Sequence, residues 1–225
     1  GKTAGFGIPL LVYLNNHPDR MALILTPTRE LAEQVWDVLR KLSGSQMGLS
    51  SALLIGGAHM GSQISALKRK PRLIIGTPGR IIDHLERRTL DLANTGFLVL
   101  DEADRMLDMG FAPQLERIRM KLPPERQTLL FSATLPGNIM AMGSLYLKNP
   151  VRIAVGGESR PVEKVKQMVL STSEGRKFDD LLAEMKERAG SVLLFARTQH
   201  RVDRVLTKLK NEGFKATRIH GGRSQ

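Results

Sequence analysis

Phe97-Leu98-Val99-Leu100-Asp101-Glu102-Ala103-Asp104 is an apolar run that ends abruptly in three carboxylates within four residues. The run is too short for a free-standing helix and reads as a buried strand. Like charges this close repel, so taking them out of water without a counter-charge is costly. A phosphate-bound Mg²⁺ relieves that repulsion, because it takes one or two carboxylates and fills its shell with substrate oxygens. Carboxylates at the carboxyl end of a parallel strand also stand where open α/β sheets bind their ligands. A solvated acidic turn is the plain alternative. For an isolated Asp-Glu pair the two readings weigh about the same, so the neighbouring sequence decides.

Upstream, Gly1-Lys2-Thr3 opens the chain. A Gly-Lys-Thr that begins a helix is the tail of a phosphate-binding loop, with Lys on the β/γ-phosphates and the Thr hydroxyl on Mg²⁺. Short apolar runs follow at Ala22-Leu23-Ile24-Leu25, Leu53-Leu54-Ile55 and Leu73-Ile74-Ile75, and beyond the acid cluster at Thr128-Leu129-Leu130-Phe131. Leu31, Val35, Leu39 and Leu42 recur at helical spacing between two of them, as do Ile81, Ile82 and Leu85. Strands alternating with helices predict a parallel sheet covered on both faces. Residues 151–155 read as the last strand of this unit. Residues 156–164 are rich in turn formers and read as a linker.

The pattern then restarts. Residues 165–170, 192–195 and 216–219 are candidate strands. Phe178, Leu181, Leu182 and Met185 mark one helix face, and Val202, Val205, Leu206 and Leu209 another, with Gly213 at the expected stop. The expected domains are thus 1–155 and an incomplete 165–225.

The 225 residues carry a net charge of +12. Residues 1–147 have 17 Lys and Arg against 13 Asp and Glu, and residues 148–225 have 17 against 9. Such a balance suits a polyanionic partner, whose condensed counterions the cations displace. Cysteine is absent, which excludes a disulfide framework and thiolate-bound metal and fits a reducing compartment. No run is long and apolar enough to cross a membrane, so a cytoplasmic location is expected. The histidines show no metal-ligand spacing and read as structural or surface residues. Lys68-Arg69-Lys70 reads as a solvated face, and Trp36 as packing.

Taken in order, Gly1-Lys2-Thr3, Pro27-Thr28-Arg29-Glu30-Leu31-Ala32-Glu33-Gln34, Gly56-Gly57, Thr77-Pro78-Gly79-Arg80, Asp101-Glu102-Ala103-Asp104 and Ser132-Ala133-Thr134 resemble the motifs of the DEAD-box RNA helicases. The resemblance covers essentially the whole chain. It implies a RecA-like α/β domain followed by an incomplete second RecA-like domain, with ATP and Mg²⁺ as cofactors and RNA as partner.

It also implies roles for particular residues. Gly1, Lys2 and Thr3 would hold the phosphates, and Thr3 and Asp101 the Mg²⁺. Glu102 would activate the hydrolytic water. Asp104 would link to the second domain, and Ser132 and Thr134 would couple the ATP state to RNA binding. Pro27, Thr28, Arg29, Gly57, Thr77, Gly79 and Arg80 would meet the RNA sugar-phosphate backbone, joined from the second domain by Thr198 and Gln225.

The expected activity is ATP-dependent separation of short RNA duplexes without regard to sequence. An ATP-gated RNA clamp with little unwinding, and a DNA translocase of the same superfamily, are the alternatives. The adenine-reading segment and the arginine fingers of the family have no counterpart here, so these 225 residues alone are expected to be nearly inactive.

Overall fold

A computed structural model of the chain describes residues 2–44, 48–134, 137–154 and 165–221. The chain divides into two compact units, Gly1–Ser159 and Arg160–Gln225.

The first unit is built on five strands: β1 (Met21–Leu25), β2 (Ser51–Leu54), β3 (Leu73–Gly76), β4 (Thr95–Leu100) and β5 (Gln127–Leu130). They lie in the order β2-β3-β1-β4-β5, and every neighbouring pair is parallel. Side chains alternate across a strand, so a strand covered on both faces must be apolar throughout, and β4 is buried at all six positions.

The two faces make two cores. Leu23, Leu25, Leu54, Ile74, Leu98 and Leu100 pack on one side with Ile81, Ile82, Met106 and Ile118. These come from α4 (Pro78–Glu86), α5 (Ala103–Asp108) and α6 (Ala112–Arg119). Flanking helices α3 (Met60–Lys68) and α7 (Gly137–Tyr146) add Leu67 and Met142. Ala22, Ile24, Ile75, Phe97 and Val99 pack on the other side with Phe6, Leu10 and Leu14 of α1 (Lys2–Asn16) and Val35 and Leu39 of α2 (Arg29–Ser43). The expected parallel sheet with helices on both faces is therefore present, and the structure is RecA-like α/β. No helix among the described residues is long and apolar enough to cross a membrane.

Two expectations need correction. Residues 151–154 form no strand, and Val151 and Ile153 are almost wholly exposed. In the second unit the described residues form α8 (Lys177–Lys186) and α9 (Gln199–Asn211) but no strand. The expected helix faces are there: Leu206 and Leu209 are buried, and Phe178, Leu181, Leu182 and Met185 are half-buried. Gly213 follows α9 with φ +84°, as a helix stop should. The segments at 165–170, 192–195 and 216–219 form no strand pairing among the described residues, and Val169, Leu193, Phe195 and Ile219 are exposed. An apolar run becomes a strand only when a neighbour takes its backbone bonds and another layer covers its face. The linker at 156–164 lies outside the described residues.

Candidate functional site

Parallel strands end on a common edge. Leu25 is in register with Gly76 and with Leu100, Gly76 with Leu54, and Leu100 with Leu130. The turns at 26–28, 55–58, 77–80, 101–104 and 131–134 therefore line one rim. Strand order puts the turns after β2, β3 and β1 on one half and those after β4 and β5 on the other. The chain's winding reverses between β1 and β4, where a crevice opens in folds of this kind.

Asp101 sits on the β4 side of that crevice and is only 3% exposed. Its N–H donates to the Leu25 carbonyl at 3.0 Å, and its Oδ1 accepts the Glu102 N–H at 3.1 Å. Burial pushes the Asp101 carboxyl above its ordinary range, and the Glu102 charge adds to this. The Lys2 ammonium and the Glu102 N–H act the other way. Lys2 begins α1, so the start of that helix and the end of β4 bring a cation to the buried acid. Thr3 follows, half-buried. Gly1 lies outside the described residues.

Glu102 takes up a left-handed backbone, φ +50° and ψ +54°. A residue with a Cβ loses about 1–2 kcal/mol there, and such strain concentrates where a side chain must be aimed. Arg105 holds the Glu102 carboxylate at 3.3 Å, one turn along α5.

Asp104 bonds mainly to the turn after β5. Its Oδ2 accepts the Ala133 N–H at 3.1 Å, the Thr134 N–H at 3.0 Å and the Thr134 hydroxyl at 3.0 Å, and its Oδ1 takes the Arg105 N–H. Burial alone would raise this carboxyl, but the donors of Arg105, Thr134 and Ser132 outweigh it and hold it below the ordinary value. Ser132 closes its turn by donating to the Thr134 carbonyl. The three carboxylates thus differ in their contacts: Asp101 accepts a neighbouring N–H, Glu102 pairs with the Arg105 guanidinium, and Asp104 gathers the Ser-Ala-Thr turn. The one expected to link to the second domain bonds, within its own unit, to the Ser-Ala-Thr turn.

The oxygen donors of Asp101 and Thr3 suit a hard cation. A buried carboxylate destabilised as an anion is what a divalent cation relieves, so these residues fit Mg²⁺. Among the described residues no three His, Cys, Asp or Glu side chains gather into a metal cluster, and Mg²⁺ shared with phosphates needs only one or two carboxylates.

The other half of the rim is built around Gly56 and Gly57. Gly57 has φ +78°, and a Cβ on it would lie 2.0 Å from Arg29 Nη1. Glycine thus supplies both the left-handed turn and the room for Arg29. Arg29 itself is exposed at the start of α2. Thr28 caps that helix, its Oγ1 accepting the Leu31 N–H at 3.2 Å, and Pro27 is buried beneath it. Arg80 Nη1 donates to the Ala58 carbonyl at 3.2 Å and Nε lies 3.6 Å from Asp83. Thr77 is buried and donates its N–H to the Leu54 carbonyl at 3.0 Å. A Cβ at Gly79 would meet open space.

The seven residues expected at RNA from the first unit are thus all on one half-rim. Arg29, Gly57 and Gly79 face outward, while Pro27, Thr28 and Thr77 shape the backbone. Thr198 is exposed in the second unit, where its Oγ1 caps α9 by accepting the Arg201 N–H at 3.2 Å, and Gln225 lies outside the described residues.

Sequence reading missed three contributors. Arg105 follows directly on the acid cluster, with no spacing to single it out. Gln63 and His84 are buried polar residues behind the Gly-Gly turn. The one signal for His84 was a histidine on the apolar face that carries Ile81 and Ile82.

A five-stranded parallel α/β sheet, with an acid cluster and a lysine-led helix meeting at its carboxyl edge, defines a RecA-like protein. The family model for DEAD/DEAH box helicases matches residues 1–142, and the chain belongs to the DEAD/DEAH box helicase family. It is 41% identical over 227 residues to the DEAD-box ATP-dependent RNA helicase CshA of Bacillus licheniformis, covering 100% of this chain and 46% of that protein. It is also 41% identical over 231 residues to the ATP-dependent RNA helicase DbpA of Bacillus subtilis, covering 100% of this chain and 47% of the relative. A crystal structure of a DEAD box protein from the hyperthermophile Methanococcus jannaschii is similar with a TM-score of 0.65 and 38% identity, over 100% of this chain and 60% of that one. The chain spans about half the length of the curated relatives it matches.

Proposed function

We propose that this chain is the core of an ATP-dependent RNA helicase that binds ATP with Mg²⁺ on one half of the rim and an RNA backbone on the other. The observation that carries the reading is Asp101, buried at the crevice, with the Lys2 ammonium at the start of α1 near enough to act on its charge. Lys2 would neutralise the terminal phosphates, and Thr3 and Asp101 would hold Mg²⁺. The metal supplies charge neutralisation on the phosphate oxygens as the bond breaks. Glu102, aimed by its left-handed backbone and steadied by Arg105, would orient the attacking water and take its proton.

Asp104 ties the catalytic turn to Ser132 and Thr134, so a shift in one would be felt in the other. That tie is the proposed route from nucleotide state to RNA grip. Arg29, Gly57 and Gly79 would meet the sugar-phosphate backbone, with Thr77 and Arg80 setting the turns. Backbone contacts carry no base information, so duplex separation would be indifferent to sequence, and contact with 2′-hydroxyls would favour RNA over DNA.

The test is phosphate release from ATP with Mg²⁺ by a polypeptide that carries these residues together with flanking segments supplying the family's adenine contacts and arginine fingers, with and without single strands of two unrelated sequences, each as RNA and as DNA. Stimulation by both RNAs and by neither DNA is expected. Equal stimulation by DNA, or none by RNA, refutes the reading. A short RNA duplex then separates a helicase, which releases a strand, from a clamp, which retains it.

A further inference from the structure

Gln63 of α3 and His84 of α4 are 4% and 0% exposed, and neither belongs to the machinery described above. Gln63 Nε2 donates to the Ile55 carbonyl at 3.0 Å and to the Ala58 carbonyl at 3.4 Å. Both hydrogens of the amide are therefore spent on the two carbonyls that bracket Gly56 and Gly57. That leaves Gln63 Oε1, which can only accept, 3.2 Å from His84 Nε2. The hydrogen between them must then sit on His84 Nε2. In a neutral imidazole this makes Nδ1 the acceptor, and the Thr89 hydroxyl, with one hydrogen to give, stands 2.8 Å from Nδ1 and 3.1 Å from the His84 carbonyl.

The His84 carbonyl already accepts the Thr89 and Leu90 N–H groups, so the hydroxyl hydrogen is assigned to Nδ1, and the bonds run one way, from the Thr89 hydroxyl through the His84 ring and the Gln63 amide to the Gly-Gly turn. Flipping the Gln63 amide would set Oε1 against two carbonyl oxygens, acceptor against acceptor. Ala58 O also accepts from Arg80 Nη1 at 3.2 Å. Arg80 and His84 lie one turn apart on α4, so that helix fixes the Gly-Gly turn twice, once directly and once through Gln63.

We propose that Gln63 and His84 are positioning residues that lock residues 56–58 in register with Arg29 and Arg80, so that the backbone-contacting half of the rim is set before RNA arrives. This rests on the RNA reading above for its purpose, but not for its geometry. Buried amides that keep their partners fix a conformation, and losing them leaves carbonyls unpaired.

Two measurements on the full chain test it. The first is the His84 tautomer, read from ¹⁵N–¹H correlations of the ring at neutral pH. The Nε2–H form is expected, and the Nδ1–H form overturns the proposal. The second uses Gln63→Met, which keeps the bulk and removes the bonds, with Thr89→Val as a milder break at the far end of the relay. Backbone amide signals of Gly57 and Ala58 should move in both variants, while those of Leu100 and Asp101 stay. Unchanged turn signals in either folded variant overturn it.

Binding of a uridine ten-mer, measured with Mg²⁺ and a non-hydrolysable ATP analogue, should weaken about tenfold in Gln63→Met, as the loss of hydrogen bonds worth about 1.4 kcal/mol implies. Affinity for the analogue alone should not change. Loss of both affinities together would mark a general structural role and also overturn the proposal. If the unaltered chain binds no RNA while the tautomer and turn signals behave as expected, the positioning role stands and the RNA reading falls.

Discussion

Replacing Gly57 by Ala separates two costs that the structure places on one atom. The backbone at Gly57 has φ +78°, where a residue with a Cβ loses about 1–2 kcal/mol. For a domain of this size that lowers the melting temperature by about 2–8 °C. The new Cβ would also lie 2.0 Å from Arg29 Nη1 and 2.8 Å from Arg29 Cζ, closer than real atoms come. The guanidinium is the far end of a long exposed side chain, so it swings aside at little further cost to the fold. On the proposed RNA reading, its displacement should be felt instead in binding. One charge-assisted bond to a phosphate is worth about 1.5–3 kcal/mol, so RNA affinity should fall about 10- to 100-fold.

The assay is a double-mutant cycle in which Gly57→Ala, Arg29→Ala and the pair are compared by melting and by RNA binding. On the Arg29→Ala background, Gly57→Ala should still lower the melting temperature but no longer weaken RNA binding. Equal weakening on both backgrounds would refute the idea that Gly57 acts through Arg29. An unchanged melting temperature would refute the backbone cost.

Asp101→Asn should stabilise the unliganded protein at neutral pH while abolishing Mg²⁺-dependent nucleotide binding. The folded carboxyl lies above its ordinary value of 3.8, chiefly through burial, so its contribution is full below 3.8 and is lost as pH rises through the folded value. The gain in melting temperature should close as pH falls toward 3.8; a wild type more stable than the variant at pH 7 would contradict this. Asp104→Asn should act oppositely. That carboxyl is held low by its hydrogen bonds, so its contribution is present above 3.8 and lost as pH falls through the folded value. A loss of about 1 kcal/mol is expected at neutral pH, after allowance for solvent screening, shrinking in acid in a melting series. Glu102→Gln should lower RNA-stimulated phosphate release about 10²- to 10⁴-fold and leave RNA binding intact, because Glu102 lies on the other half of the rim; retained turnover would remove it as the base.

The sequence alone determined the layers of the first unit and the edge on which its chemistry gathers. Short apolar runs alternating with helical stripes admit few arrangements other than a parallel sheet. In such a sheet every turn that follows a strand reaches the same rim, so Asp101, Gly57 and Thr134 could be placed together without coordinates. The apolar runs at 151–155 and 192–195 misled for the complementary reason, because strand propensity is local while a strand also needs a partner and a cover.

Only the tertiary structure decided who touches whom across that rim. Arg29 against Gly57, Asp104 against Thr134 and Gln63 against His84 are contacts between residues 21 to 30 positions apart. Such contacts leave no periodicity in the chain. The strand order β2-β3-β1-β4-β5, which puts the Gly-Gly turn and the acid cluster on different halves of the rim, is equally unwritten in any one segment, because it depends on which strands find one another after the chain has crossed the sheet.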